Sequence, residues 1–281
     1  MRSIFILILG LTTLLVSCEK PITYKESSVL SQYATINQKE DIFSFTDTCI
    51  TPYVYTKVIS LRDLPVIEKK QKFVEMLLPS ILVAKHDLFA KIKRVEHIQL
   101  WQETNPILLE KDSLFLSDLF KTYKCNELPE LKRRLKPHPA SIVLGQAALE
   151  SGWGSSRFFK EGNNVFGIWS YHAGENRIKA LVGRDSTSIY VRSYESIENS
   201  VEDYFKTIAR VNAYKEFRIE RYNCEEPLKL VSFLNRYSEV GEIYTNKLKQ
   251  LIESNDLTKY DTYVIKEEFL LEKEILLSEA I

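Results

Sequence analysis

The chain has 281 residues, 44% of them apolar and 27% charged, with Lys+Arg and Asp+Glu equal at 38 each. That balance suits a globular chain able to bury a core as one large domain or two small ones, and it lacks the basic excess of a nucleic-acid binder. With 15 Tyr and 14 Phe against 9 Gly, a mostly helical protein with aromatic surfaces is expected.

The N-terminus stands outside that fold. MRSIFILILGLTTLLVSC carries one Arg, an apolar run too short for a comfortable membrane span, and small residues before Cys18, which is the pattern of a secretory signal peptide over residues 1–17. Leu15-Val16-Ser17-Cys18 resembles a bacterial lipobox, which implies cleavage before Cys18 and lipid on its thiol and new α-amine. Buried acyl methylenes would then anchor the protein to a membrane. A plain signal peptide with an incidental Cys is the alternative. Glu19 is not the Asp that retains some lipoproteins at the inner membrane, so the expectation is an exported protein on the outer membrane, facing the periplasm. Residues 18–54 are polar with weak periodicity and read as a membrane tether. Cys49, Cys125 and Cys224 are left as an odd number at spacings that match no disulfide framework and no metal cluster, although one pair could bridge.

Helical periodicity covers 56–78 and 80–101, with Pro79 expected to kink or restart the helix. Two shorter helices split near Asn126 fill 113–135. Pro139 suits the first turn of a helix that runs to about Ser151 and is ended by Gly152 and Gly154. RIKALV and SIYVRSY, separated by the turn-like GRDST, read as a small β region. Helices return from Ile197, at about 226–236 and at 242–254, and 259–281 is an apolar-acidic tail or helix that docks on the body or meets a partner.

The helix at 140–151 places Val143, Gln146 and Ala147 on one face with Glu150, seven, four and three residues before it. That face is nearly apolar, so a carboxylate at its C-terminal end should have a raised pKa. A carboxylic acid protonated near neutral pH is what glycosidic cleavage needs to protonate the leaving oxygen. A buried Glu neutralised by a distant Arg would read the same way by position alone.

The residues that follow carry more. ALESGWGSSRF…EGNNVFGIW resembles the glucosaminidase domain of glycoside hydrolase family 73, within the lysozyme-like superfamily. Ala147, Glu150, Ser151, Gly152, Trp153, Gly154 and Ser156 match the family's helix end, then Asn163, Asn164, Phe166 and Gly167 match its Asn-Asn-Leu-Phe-Gly, with Val165 in place of Leu. RSYESIENSVEDYFKTI resembles the family's Tyr-x-Ser segment, and NRYSEVGEIYTNKLKQLI the closing motif of its Bax-like branch, with Tyr237 and Tyr244 at the two tyrosine positions. The resemblance covers roughly residues 55–255 and implies a mainly helical α+β fold, a lysozyme-like domain with a small β wing. It implies that Glu150 is the catalytic acid and that Tyr244 lies in the cleft beside it; for Tyr237, a packed ring and a cleft role weigh evenly.

One departure stands out. Family members often carry a second Glu shortly before the Tyr-x-Ser motif, and Ser188–Arg192 has no acid. Asp185 or Glu175 as base, the substrate's own N-acetyl group as nucleophile, and help from Tyr244 are the three remaining accounts. Trp153, Phe166, Trp169 and Tyr171 cluster around the acid in sequence and offer flat faces to pyranose C–H groups, while Asn164 is placed to bond an N-acetyl amide. Taken singly, Trp153 and Phe166 read as core rings; Trp169 and Tyr171, before His172, are the better cleft candidates. No His/Asp/Cys cluster has metal spacing and GRDS and EGNN form no phosphate loop, so neither metal nor cofactor is expected. The expected partners are peptidoglycan glycan strands and, through the lipid anchor, a membrane. The expected activity is an endo-β-N-acetylglucosaminidase cutting after GlcNAc in the cell wall. A lytic transglycosylase on the same fold, a catalytically degenerate wall-binding protein and cleavage of glycoprotein glycans are the alternatives.

Overall fold

The computed structural model describes residues 23–105, 107–180 and 188–276, so the expected signal peptide, Cys18 and Asp185 lie outside the described residues. In chain order the elements are β1 (Thr23–Val29), β2 (Gln32–Thr35), β3 (Cys49–Ile50), β4 (Tyr53–Lys57), α1 (Val66–Thr104), α2 (Glu110–Tyr123), α3 (Leu128–Leu135), α4 (Ala140–Ser151) and α5 (Arg157–Gly162). Then come β5 (Arg177–Lys179), β6 (Tyr190–Arg192), α6 (Ile197–Arg210), α7 (Lys215–Asn223), α8 (Pro227–Val231), α9 (Glu242–Ser254), β7 (Val264–Ile265) and β8 (Leu270–Leu276). The fold is α+β and mainly helical. Among the described residues its strands pair in twos: β1–β8 and β5–β6 antiparallel, β2–β4 and β3–β7 parallel.

Two helices organise the core. From Phe73 to Ala84 every side chain of α1 is buried, and from Ala140 to Ala148 every residue of α4 is buried. A helix buried on all sides needs apolar residues all round, and both stretches have them. Around them pack amphipathic helices. In α6, Ile197, Val201, Tyr204, Phe205 and Ile208 recur at helical spacing and are buried, and Ser196 caps the first turn by accepting from the Asn199 N–H at 3.2 Å. At Gly145, in the middle of α4, a Cβ would lie 2.7 Å from Leu248 Cδ1 and 3.0 Å from Ile252 Cγ1, so the missing side chain is what lets α9 approach.

The α1 region is one helix of 39 residues, starting at Val66 rather than 56 and running through Pro79. Proline lacks the N–H that would bond the carbonyl of Glu75, yet burial on every side holds the helix together across it. The segment expected as a tether, 18–54, is folded from Thr23 onward, with Tyr24, Ile36, Ile42 and Ile50 in the core. The tail expected as a helix instead forms a 3-10 turn, Leu257–Thr262, then β7 and β8. Each of these strands pairs with a segment from the opposite end of the chain, Thr23 to Val29 against Leu276 to Leu270, so no local pattern announces them. The same tail caps α4: Asp261 accepts from the Ser141 N–H at 2.8 Å and the Ser141 hydroxyl at 2.7 Å. Cys49, Cys125 and Cys224 are free thiols, so no pair among them bridges. No helix of the described residues is long and apolar enough to cross a membrane.

Gly145→Val should destabilise the fold by about 2 kcal/mol, the scale of overpacking a filled core, because it drives methyl groups into Leu248 and Ile252. Urea unfolding checks this; a midpoint unchanged or raised would mean that α9 does not need the gap.

Candidate active site

Glu150 lies in the last turn of α4, where the chain reverses sharply. Gly152 adopts φ +59° and its N–H bonds the Ala148 carbonyl. Trp153 at φ +56° and Gly154 at φ +74° continue in the left-handed region. The glycines adopt it freely, while a tryptophan does so at a cost of about 1–2 kcal/mol. Ser151 holds the turn from inside, its hydroxyl donating to the Ala147 carbonyl at 2.6 Å and accepting from the Gly154 N–H at 3.0 Å. The reversal carries the backbone away just after Glu150 and leaves the carboxylate open to solvent.

That carboxylate is nevertheless walled on its inner side. Desolvation by the surrounding protein raises its pKa above the usual range, opposed by a hydrogen bond from the Tyr244 hydroxyl. An exposed surface and a desolvated charge are compatible for a group that meets water on one side and rings on the others. Tyr244, on α9, is 7% exposed and stacks on Tyr237, with centroids 5.4 Å apart and planes at 20°. Tyr237 in turn packs on Tyr214 at 6.0 Å. Burial pushes the phenols of Tyr244, Tyr237 and Tyr214 upward, and the nearby charge of Glu150 adds to each. Gln146, one turn before Glu150, donates its amide to the Tyr244 oxygen at 3.1 Å.

The β5–β6 wing is built by the Asn163-Asn164 pair. Asn163 donates to the carbonyls of Thr56 and Tyr194, at 2.9 and 3.0 Å. Asn164 is buried; it donates to the carbonyls of Ile168 and Arg192, at 3.1 and 2.8 Å, and accepts from the Ile168 N–H at 3.1 Å. Its amide is therefore spent on the loop and does not serve as the expected N-acetyl contact. Phe166 is also internal, 4% exposed and stacked on Tyr204 at 4.1 Å, so it supports the core rather than a cleft. Trp153 is half-buried, edge-on to Phe73, and lines a cavity of about 410 Å³ with Lys70, Tyr260 and Tyr263 that Glu150 does not line. Trp169 and Tyr171 stay exposed, at 41% and 76%, with ring centroids 6.1 Å apart. Glu175 accepts from Arg192 at 3.0 Å, and the Ser170 hydroxyl and this guanidinium hold its carboxyl below the usual range. Among the described residues no three His, Cys, Asp or Glu side chains converge as a metal site.

Residues 127–257 match the glucosaminidase family model, described as mannosyl-glycoprotein endo-beta-N-acetylglucosaminidase. That stretch of the chain is similar to the glucosaminidase family. Its sequence is similar to Protein bax of Escherichia coli, 28% identical over 158 residues, covering 50% of this chain and 54% of that protein. It is similar to an Autolysin of Enterococcus faecalis, 28% identical over 137 residues, 44% of this chain and 18% of the other. The Exo-glucosaminidase LytG of Bacillus subtilis is 25% identical over 130 residues, 43% and 45% of the two chains. The matched stretch thus spans about half the length of two of these relatives and less of the third. Among solved structures, the catalytic domain of the autolysin Auto from Listeria monocytogenes is 26% identical, covering 61% of this chain and 87% of that one at a TM-score of 0.38. At that score the arrangement is read from this chain's own elements.

Glu150, Tyr244, Tyr237 and Tyr214 all lie inside the stretch that matches the glucosaminidase model, as do three residues that the sequence does not single out: His138, Tyr204 and Arg221. His138 sits between Pro137 and Pro139, which was a signal of a kind. Tyr204 and Arg221 look like ordinary residues of amphipathic helices, and only packing joins them to Gln146.

The raised pKa of Glu150 has a stability consequence. A carboxyl whose folded pKa lies above its unfolded value favours folding while protonated, and the protein loses that contribution as pH rises from the unfolded value through the folded one. Glu150→Gln cannot ionise. Its melting temperature should therefore match wild type in acid and exceed it increasingly above the ordinary carboxylate range. Thermal unfolding at a series of pH values checks this, and a variant less stable than wild type at pH 8 would contradict it.

Proposed function

We propose that this protein is an exported peptidoglycan hydrolase that cleaves the β-1,4 bond after N-acetylglucosamine, with Glu150 as the general acid. The observation that carries the reading is a solvent-facing carboxyl with a raised pKa, held by Tyr244 at the end of a buried helix. In this mechanism Glu150 gives its proton to the glycosidic oxygen as the C1–O bond breaks. Positive charge develops at C1, and water completes the hydrolysis. Tyr244 orients the acid, and Tyr237 backs its ring. In this reading the exposed rings of Trp169 and Tyr171 meet sugar C–H faces.

The second catalytic group is the substrate's N-acetyl oxygen or a wing carboxylate. Glu175 is held ionised by Arg192 and Ser170, as a base must be, but that ion pair also ties it to the wing. Asp185, between β5 and β6 in the sequence, is the other acid. Cys18 is the proposed lipid anchor, placing the enzyme at the outer membrane. Because β1 begins at Thr23, such an anchor would hold the body within about 18 Å of the lipid surface, the extended reach of the intervening chain.

Glu150→Gln should cut digestion of purified sacculi by roughly 10²–10⁴-fold, while Tyr244→Phe should cost a few-fold to about tenfold, the worth of one hydrogen bond. An active Glu150→Gln enzyme, free of background hydrolases, would remove the mechanism. Mass spectrometry of the fragments should give reducing N-acetylglucosamine ends; 1,6-anhydro-muramic ends would instead mark a transglycosylase, and binding without fragments a degenerate site. Asp185→Asn decides between the loop acid and the N-acetyl group.

Labelled palmitate should enter the wild-type protein and not Cys18→Ala. Equal labelling of the two would discard the anchor.

A further inference from the structure

Behind Glu150 a line of buried polar groups runs back through the domain to α7. Arg221, 2% exposed, donates to the Arg133 carbonyl at 2.9 Å, and its other terminal nitrogen lies 3.3 Å from His138 Nδ1. Among the described residues no carboxylate lies within ion-pairing distance of it. His138 Nε2 is 2.7 Å from the Tyr204 hydroxyl, which is 2.5 Å from Gln146 Oε1. Gln146 Nε2 reaches the Tyr244 oxygen at 3.1 Å, and the Tyr244 hydroxyl lies close enough to Glu150 to lower its pKa.

The two ends of this line dictate its direction. A guanidinium only donates, so His138 Nδ1 accepts and the ring proton sits on Nε2. That tautomer requires a neutral ring, and burial together with Arg221 and Lys85 holds the His138 pKa well below its usual range. His138 then donates to Tyr204, Tyr204 donates to the Gln146 carbonyl, and the Gln146 amide faces Tyr244. At the far end an ionised carboxylate only accepts. Four groups that could each point either way are thereby aligned by one group that cannot accept and one that cannot donate.

We propose that Arg221, His138, Tyr204 and Gln146 form a positioning array that locks Tyr244 as a donor to Glu150 and so keeps the acid's own proton on the carboxyl oxygen that Tyr244 does not touch. The proposal rests on reading Glu150 as the general acid. If Tyr244 were free to rotate, protonated Glu150 could donate inward to it, and the proton would face the protein instead of the glycosidic oxygen. With Gln146 donating to the Tyr244 oxygen, that arrangement would leave the Tyr244 O–H buried without a partner, which disfavours it. Facing Glu150 are Tyr244 from α9, Tyr237 after α8, Tyr214 before α7 and Tyr204 from α6; burial and the Tyr244 bond are what shift its titration.

Tyr204→Phe separates this role from a structural one, because it keeps the ring stacked on Phe166 and removes only the relaying hydroxyl. The measurement is the titration of the Glu150 carboxyl by carbon-13 NMR on glutamate-labelled protein, assigned with Glu150→Gln, together with the pH profile of kcat/KM. Loss of the locked Tyr244 bond should raise the Glu150 pKa by about half a pH unit, the scale of one hydrogen bond, and move the alkaline limb of the profile with it. In a Tyr244→Phe background the same substitution should add no further shift. Where circular dichroism shows Tyr204→Phe unfolded, Arg221→Met replaces it, with a shift of the same sign expected. A Glu150 titration unmoved by the folded variant, or a shift that persists without the Tyr244 hydroxyl, overturns the array. The NMR titration needs no activity, so a shifted Glu150 in an enzyme that survives Glu150→Gln would sink the acid reading and leave the hydrogen-bonded array standing.

Discussion

An apolar helix must be enclosed, and a carboxyl that ionises must keep contact with water. α4 meets both demands within its own length. From Ala140 to Ala148 it is sealed by α1, α9 and the C-terminal 3-10 turn, and two residues later the Glu150 side chain reaches solvent. The position of Glu150 follows from that transition. So does its chemistry, since a group at the edge of an enclosed helix is half-stripped of water and its charged form is disfavoured. The Gly152–Gly154 reversal makes the transition abrupt, because a continued helix would have laid further side chains over the carboxylate.

The layer around α4 is supplied from distant parts of the chain. α9 brings Tyr244 because Gly145 leaves room for it, and the tail brings Asp261 to satisfy the first turn of the same helix. α6 brings Tyr204 from one side, and α7 brings Arg221 from behind. A site whose walls come from so many elements is rigid only when all of them are packed. Closure of the two chain ends through β1 and β8 therefore bears on the geometry at Glu150, although neither strand touches it.

Burying polar groups behind an acid is costly unless each is paired. From His138 to Tyr244 every terminal polar atom of the line has a partner, and at the Arg221 end only the guanidinium Nε is left without one. A fully connected network holds one arrangement against its alternatives, which a purely apolar wall would not do. The rings stacked over it, Phe166 on Tyr204 and Tyr237 on Tyr244, exclude water that could otherwise break the line.

Local chemistry was legible in the sequence. The caps and span of α4, the split between α2 and α3, the β5–β6 wing and the span of α9 are all set by neighbours within a few residues, through proline, glycine and helical spacing. Glu150 stood out for the same reason, as a single charge on an apolar face. What tertiary structure alone decided has one physical cause: it depends on pairing across long stretches of chain. The β1–β8 clasp joins opposite ends, so residues 23–52 looked like a tether and the tail like a helix. Asn164 and Phe166 carry the family motif, yet their side chains serve the wing and the core, because burial is set by what packs against them and not by their neighbours in sequence. Gln146 was on the right face from the start; that it joins Glu150 to Arg221 could be decided only when α6, α7 and α9 closed around it.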